Sequence, residues 1–284
     1  SSKGAALALA DVLVPDPGKR VTSWRMVEIK SSASVKDYHR DDVAIQHHVA
    51  TTAGISLSGV ALAHIDSSWT YSGNGDYSGL LIENDLTEEA SARAGEVKTW
   101  IGEAHQIVQL QAPPVMPIGK QCVTPYACSF SDHCTAEDVQ THGAVEHPVS
   151  WIPRIQTRAL KEHIEFGNVR SLVDVPDTLL NATQLRVKRQ TITGETYFDA
   201  RGAQQDLAEV KLPALFLDFE TINFPIPVWA GTRPFQQVPF QFSVHGLDKK
   251  GRLYHGGYLD LSGNDPSLPL ARALIQACGQ SEPV

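Results

Sequence analysis

The sequence predicts a mixed α/β (α+β) protein, and three observations carry that expectation. Near the start, residues 7–14 and 22–31 alternate apolar and polar positions on either side of the turn-forming run Pro15-Asp16-Pro17-Gly18. Over residues 34–53 the apolar spacing changes to a helical period. A second set of strand-like stretches, 215–221, 239–247 and 252–259, is closed by the helical pattern of 268–278.

The first pair of stretches reads as a hairpin. The helix that follows places Val35, Val43, Val49 and Ala50 on its apolar side and meets Gly54 where a helix stops. Further strands are expected at 60–65 and 69–71, with a Gly/Asn/Asp turn at 73–76. The acidic run from Asp85 to Glu89 starts a long helix ending near Leu110, because negative side chains favour a helix N-terminus. Residues 112–134 are Pro-rich and irregular. Residues 151–192 read as helical and basic, carrying Arg154, Arg158, Lys161, Arg170, Arg186, Lys188 and Arg189. That segment is either a solvated helical linker or a phosphate-binding face. Three divisions result: 1–134, a linker over 135–210, and 211–284.

At 284 residues with 42% hydrophobic content, the chain is long enough for two cores. No apolar run approaches the about 20 residues of a membrane-crossing helix, and the Ala-rich opening lacks the basic flank of a signal peptide. A cytoplasmic protein without a membrane partner is therefore expected, and both ends of the chain read as cut. The net charge of −8 does not advertise nucleic-acid binding, yet carboxylates gathered for metal ions would push it the same way.

Glu28 and Lys30 stand two apart on a strand, so they share one face, while Val27 and Ile29 point to the other, toward a core. Asp11 lies across the hairpin. Two carboxylates on neighbouring strands can hold a hard divalent ion, and a lysine beside them can orient a water, help deprotonate it or steady charge on a phosphoryl oxygen. An exposed Glu/Lys pair is the plain alternative. Gln46 follows on the next helix, one turn from Asp42 and on the same face. This order resembles the RecB-like branch of the PD-(D/E)xK nucleases, which have a restriction-endonuclease-like core. The resemblance implies that Asp11 and Glu28 are ligands of Mg2+ or Mn2+, Lys30 is the catalytic lysine and Gln46 organises substrate or site. The family motif often reads Gln-x3-Tyr, and Ala50 stands at the Tyr place.

Cys122, Cys128 and Cys134 are evenly spaced, with five residues between each pair, in the Pro-rich stretch. In a cytosolic chain this reads as metal binding before disulfide. Structural zinc sites draw on tighter pairs, and a cluster held by thiolates tolerates wider gaps. Zinc with His133, His142 or His147, or three unligated thiols, are the alternatives, and Cys278 on an apolar helix reads as a small buried hydrophobe. The resemblance to RecB-like iron-sulfur nucleases implies an iron-sulfur cluster whose fourth cysteine lies upstream of Ser1.

Asp218 and Glu220 share one face of an otherwise apolar strand, and burying two acids there is costly unless a cation binds them. Asp-x-Glu on the first strand of a strand-hairpin-helix unit resembles the first motif of DEDD-type exonucleases, in a ribonuclease-H-like domain. That resemblance makes Asp218 and Glu220 metal ligands of a second site. The whole order, including the run from Arg233 to Gln241, resembles a bacterial group that fuses the two nucleases. It implies a metal-dependent nuclease acting on DNA in preference to RNA, exonucleolytic, in repair or defence. The alternatives are a non-catalytic nucleic-acid-binding protein that keeps the fold, and an RNA-processing exonuclease.

Overall fold

The computed structural model describes residues 6–16 and 23–279. Pro17, Gly18 and Thr22 of the expected hairpin lie outside the described residues. The chain divides into two compact units, one formed by Ser1–Pro113 with Val210–Val284, the other by Pro114–Glu209.

In the first unit, β1 (Val12–Pro15) pairs antiparallel with β2 (Trp24–Lys30). Helix α1 (Asp37–Thr52) then crosses to β3 (Leu57–Ile65), which runs parallel to β2, and β4 (Leu81–Asp85) closes the four-stranded sheet antiparallel to β3. A parallel pair needs such a crossover, and a helix laid over it covers one sheet face. Met26, Val60 and Leu62 accordingly pack with Val43 of α1, while Val27, Ala61 and Ala63 form a second core on the opposite face with Val12. Central strands covered on both sides read as continuous apolar runs, as Val60-Ala61-Leu62-Ala63 does. Helix α1 ends in a left-handed Gly54 (φ 87°), which lets the amides of Gly54 and Ile55 return to the carbonyls of Thr51 and Ala50.

Several expectations are corrected. The first strand begins only at Val12, and Leu7 and Leu9 are exposed. Residues 69–71 form no strand. Their alternating aromatics pack on one another instead, with the rings of Tyr71 and Tyr77 stacked at 4.8 Å. The sheet takes its fourth strand from β4, a segment expected in part to begin a helix. That helix is divided at Arg93 into α2 (Thr87–Ala92) and α3 (Ala94–Val108), although Arg93 still donates to Glu89 and accepts from Val97. Asp85 ends the strand just before the N-cap residue Leu86, and its side chain takes the Thr87 amide at 2.8 Å.

The second sheet of this unit has β5 (Ala214–Ile222), β6 (Val238–Leu247) and β7 (Leu253–Leu259) in antiparallel order, covered by α8 (Ser267–Cys278). Phe242, Val244 and Leu270 form its core, with Leu215, Leu217 and Cys278 packed against them. The two sheets are joined through backbone: Tyr71 N–H donates to Thr232 at 3.0 Å and Gly231 N–H donates to Tyr71 at 2.8 Å.

The second unit contains α4 (Ser131–His142), α5 (Arg158–Phe166), α6 (Ala182–Thr193) and α7 (Ala200–Leu207). Ile152, Leu160, Leu172 and Val175 are its buried core. Residues 151–192 are thus two helices and intervening turns around a core of their own. Most of their cations are occupied: Arg158 pairs with Glu162, Arg170 with Asp138, Lys188 and Arg189 with Asp177, and Arg186 lies over the ring of Tyr197.

Gly246 on β6 is covered by Tyr254 so closely that a Cβ would lie 2.0 Å from the ring. The atoms met are the outer end of the exposed Tyr254 ring, which can move aside, so Gly246→Ala should destabilise the first unit by about 1 kcal/mol, the low end of the range for overpacking. Urea unfolding of the single variant and of Gly246→Ala/Tyr254→Ala would check it. The second change should restore part of the loss, and an unaffected single variant would rule the contact out.

Candidate active site

Strand β2 has Met26, Glu28 and Lys30 on the face that α1 covers. This is why Glu28 is buried, with 5% of its surface exposed. An ionised carboxylate so placed needs partners. Its Oε1 accepts from Lys30 Nζ at 2.6 Å, and its Oε2 is buried with no hydrogen-bond partner among the described residues.

Lys30 is shared. Its Nζ also donates to Asp42 Oδ2 of α1 at 2.6 Å, and Asp42 Oδ1 accepts from Gln46 Nε2 at 3.2 Å. The two carboxylates that Lys30 joins are therefore Glu28 and Asp42. Burial opposes the charge on Lys30, but the bonds to Asp42 and Glu28 outweigh it and hold the amine above its ordinary pKa of 10.5. Asp42 is likewise penalised by burial and more than compensated by Lys30 and Gln46, so its carboxyl lies below the ordinary 3.8. Gln46 is buried, and its Oε1 also lacks a partner.

Asp11 is exposed just before β1, and its Oδ2 accepts the amide of Ile29 at 2.9 Å. It therefore sits beside the Glu-x-Lys strand, held by backbone. Ile29 was expected in the core with Val27, but it is exposed. Among the described residues the β1 pairing reaches only to Val27 and stops short of Ile29.

Two histidines border the group, and neither was singled out from sequence. His39 is buried in the first turn of α1, where its Nδ1 accepts the Lys36 amide at 3.2 Å. Burial and then the charge of Lys30 lower its pKa, so it is neutral at pH 7. His64 lies opposite Lys30 on β3. The signal for His39 was its spacing: His39, Asp42 and Gln46 recur at three and four residues, one face of a helix.

Among the described residues, no three His, Cys, Asp or Glu side chains are gathered closely enough to hold a metal ion by themselves. Magnesium does not require that, because it binds through one or two carboxylates and keeps several waters. The unpartnered buried Oε2 of Glu28, with Asp11 across the strand pair, fits such an ion. The cysteine loop carries donors without gathering them. The Cys128 amide closes the loop on the Cys122 carbonyl at 2.8 Å, Cys134 lies in the first turn of α4, and Cys128 Sγ accepts the Phe130 amide at 3.4 Å. Asp218 and Glu220 do share a face of β5, away from the core that Leu215 and Leu217 join. Both are exposed, because α8 covers only the opposite face of the sheet, and the burial cost expected to require a cation does not arise. Ser243 and His255 stand on neighbouring strands beside them, hydrogen-bonded at 3.0 Å, with Asp218 opposite Ser243.

Comparison with known proteins gives a partial likeness: residues 215–284 are similar to a family described as a domain of unknown function, DUF2779. No curated protein and no solved structure matches the chain. No helix among the described residues is long and apolar enough to cross a membrane.

The Lys30–Asp42 pair makes stability depend on pH with a definite sign. A depressed Asp42 pKa contributes stability that is full above 3.8 and is lost as pH falls through the lowered value. A raised Lys30 pKa contributes stability that is full below 10.5 and is lost as pH rises through the raised one. Asp42→Asn should cost about 1 kcal/mol between those limits, a modest amount because the Asp42 side chain is 40% exposed. The difference from the parent protein should shrink as pH falls below 3.8 and vanish only below the lowered pKa of Asp42. Denaturant midpoints measured from acid to neutral pH would show it, and a constant difference into acid would contradict the pairing.

Proposed function

We propose that the chain is a metal-dependent nuclease that hydrolyses phosphodiester bonds of DNA at the site built on β2 and α1. The observation that carries this reading is the buried Glu28, whose free Oε2 lies beside a lysine held by two carboxylates. Asp11 and Glu28 would hold Mg2+ or Mn2+, which supplies Lewis acidity and a bound water of lowered pKa. Lys30 stays an ammonium at neutral pH. Its part is to steady negative charge growing on a phosphoryl oxygen, and removing a proton from water is not open to it. Asp42 aims the ammonium, and Gln46 fixes Asp42.

Asp218 and Glu220 belong to the same proposal as half of a second, exonuclease-type metal site. Cys122, Cys128 and Cys134 belong to it as ligands of a structural iron-sulfur cluster. Support for the second site is the shared face of β5, and for the cluster the closed loop with its N–H···S bond. Neither is needed for the reaction at Glu28.

Purified protein with end-labelled single- and double-stranded DNA should cleave in Mg2+ or Mn2+ and stop in EDTA. Lys30→Ala should slow cleavage by about 10²–10³-fold, as loss of one charge-stabilising donor does, and Glu28→Ala should abolish cleavage at this site. Asp218→Ala, assayed separately, reports on the second site. Protein that binds Mg2+ yet leaves all DNA and RNA intact would end the nuclease reading. Anaerobic purification should give a brown protein, and a colourless one with stoichiometric zinc would replace the cluster by zinc.

A further inference from the structure

The first unit has a cleft that the reaction does not use. Its volume is about 480 Å³, and Ser67, Arg233, Pro234, Phe235, Gln236 and Gln237 line it. That is within the range of pockets that hold small ligands, about 300–1,000 Å³.

Three features of its lining bear on what it takes. The chain has 32 acidic and 24 basic residues, and carboxylates neutralise Arg25, Arg40, Arg93, Arg158, Arg170 and Arg252. No carboxylate among the described residues pairs with the exposed Arg233. Next, Phe235 has φ 59°, in the left-handed region that a bulky side chain rarely adopts. Its backbone is fixed there, with its amide donating to Phe224 at 2.7 Å, while Arg233 N–H donates to Gln236 Oε1 at 3.0 Å and Gln236 N–H to the Arg233 carbonyl at 3.1 Å. Such conformations persist where the surroundings over-determine them, and they gather at ligand clamps. Finally, the amides of Gln236 and Gln237 add neutral hydrogen-bonding groups at the rim.

An unpaired guanidinium, an aromatic ring and amide groups in one cleft match the parts of a nucleotide. We propose that this cleft binds one nucleotide of a single DNA strand, with Arg233 on its phosphate and Phe235 against its base. The proposal rests on the nuclease reading for its choice of ligand. A paired base cannot offer its face to Phe235, so the site selects an unpaired strand, and aromatic stacking tolerates any base. The neighbouring cavity, lined by Tyr71, Asn74, Trp229 and Asp265, carries an acid and no cation, and would repel the same phosphate.

The test is binding of a fluorescent oligothymidylate to the full chain in EDTA, which keeps it independent of cleavage. Arg233→Gln should weaken binding and lower the slope of log Kd against log salt by about 0.7, the loss of one phosphate contact on a single strand. Arg233→Lys should keep the slope. Phe235→Gly suits the left-handed backbone, so it preserves the loop while removing the ring, and it should raise Kd about tenfold with the slope unchanged. Thermal unfolding of each variant checks that the fold is kept. An unchanged slope in Arg233→Gln, an unchanged Kd in Phe235→Gly, or equal dependence on both residues with duplex DNA would overturn the proposal. Protein that shows the expected binding pattern but never cleaves nucleic acid would retain this site and lose the nuclease reading.

Discussion

A carboxylate buried under a helix is the constraint on which the rest of the candidate site depends. Glu28 is on the covered face of a central strand, where an unpaired charge would be costly. Lys30 answers one of its oxygens, but the ammonium is itself half-buried and needs a second acid. Asp42 provides that from α1, and Gln46, one turn on, fixes Asp42. Each member is tolerable only because the next is present, so the register of α1 against β2 is set by charge as well as by the contact of Met26 with Val43. Removing Lys30 would leave the buried Glu28 uncompensated, which costs far more than the pair's net contribution, whereas the part-exposed Asp42 can be lost at modest cost.

The chain's local chemistry made some elements legible. Helix α1, strands β5 to β7 and α8 were readable because their periods are clean and their ends carry turn residues: Gly54 after the first helix, and the Asp248–Gly251 turn, closed by a bond of 2.8 Å, before β7. Periodicity failed where side chains pack in pairs. Trp69 and Tyr71 alternate as strand residues do, yet their contacts run to Tyr77 and to the loop at Thr232. Likewise, nothing in the run Leu81-Ile82-Glu83-Asn84-Asp85 distinguishes an edge strand from the start of the helix it precedes.

The site was legible to a similar degree. Strand parity put Glu28 and Lys30 on one face, Asp11 and Gln46 were singled out through the resemblance to RecB-like nucleases, and the structure links Glu28, Lys30 and Gln46 through Asp42. Asp42 was seen from sequence only as a neighbour of Gln46, because its link to Lys30 is tertiary. Burial misled at two places for one reason. Which positions of a strand are covered is set by tertiary packing, which sequence does not state: the β1 pairing stops at Val27, short of Ile29, and α8 covers only the face of β5 that Leu215 and Leu217 join, leaving Asp218 and Glu220 in water.

The division of the chain has a further consequence. Pro114–Glu209 separates two stretches that fold together as one unit, so the bonds between Tyr71 and the Thr232 loop close a circuit that includes the whole second unit. Ordering so long a circuit is penalised only logarithmically, about 0.6 kcal/mol for each doubling of its length. The equilibrium therefore tolerates the excursion well, and the kinetics feel it more, because contacts between distant parts of a sequence form slowly. A second unit that condenses early on its own core shortens the flexible part of the circuit. A core of its own around Leu160 and Leu172 equips the second unit for that part, whatever chemistry its cysteines perform.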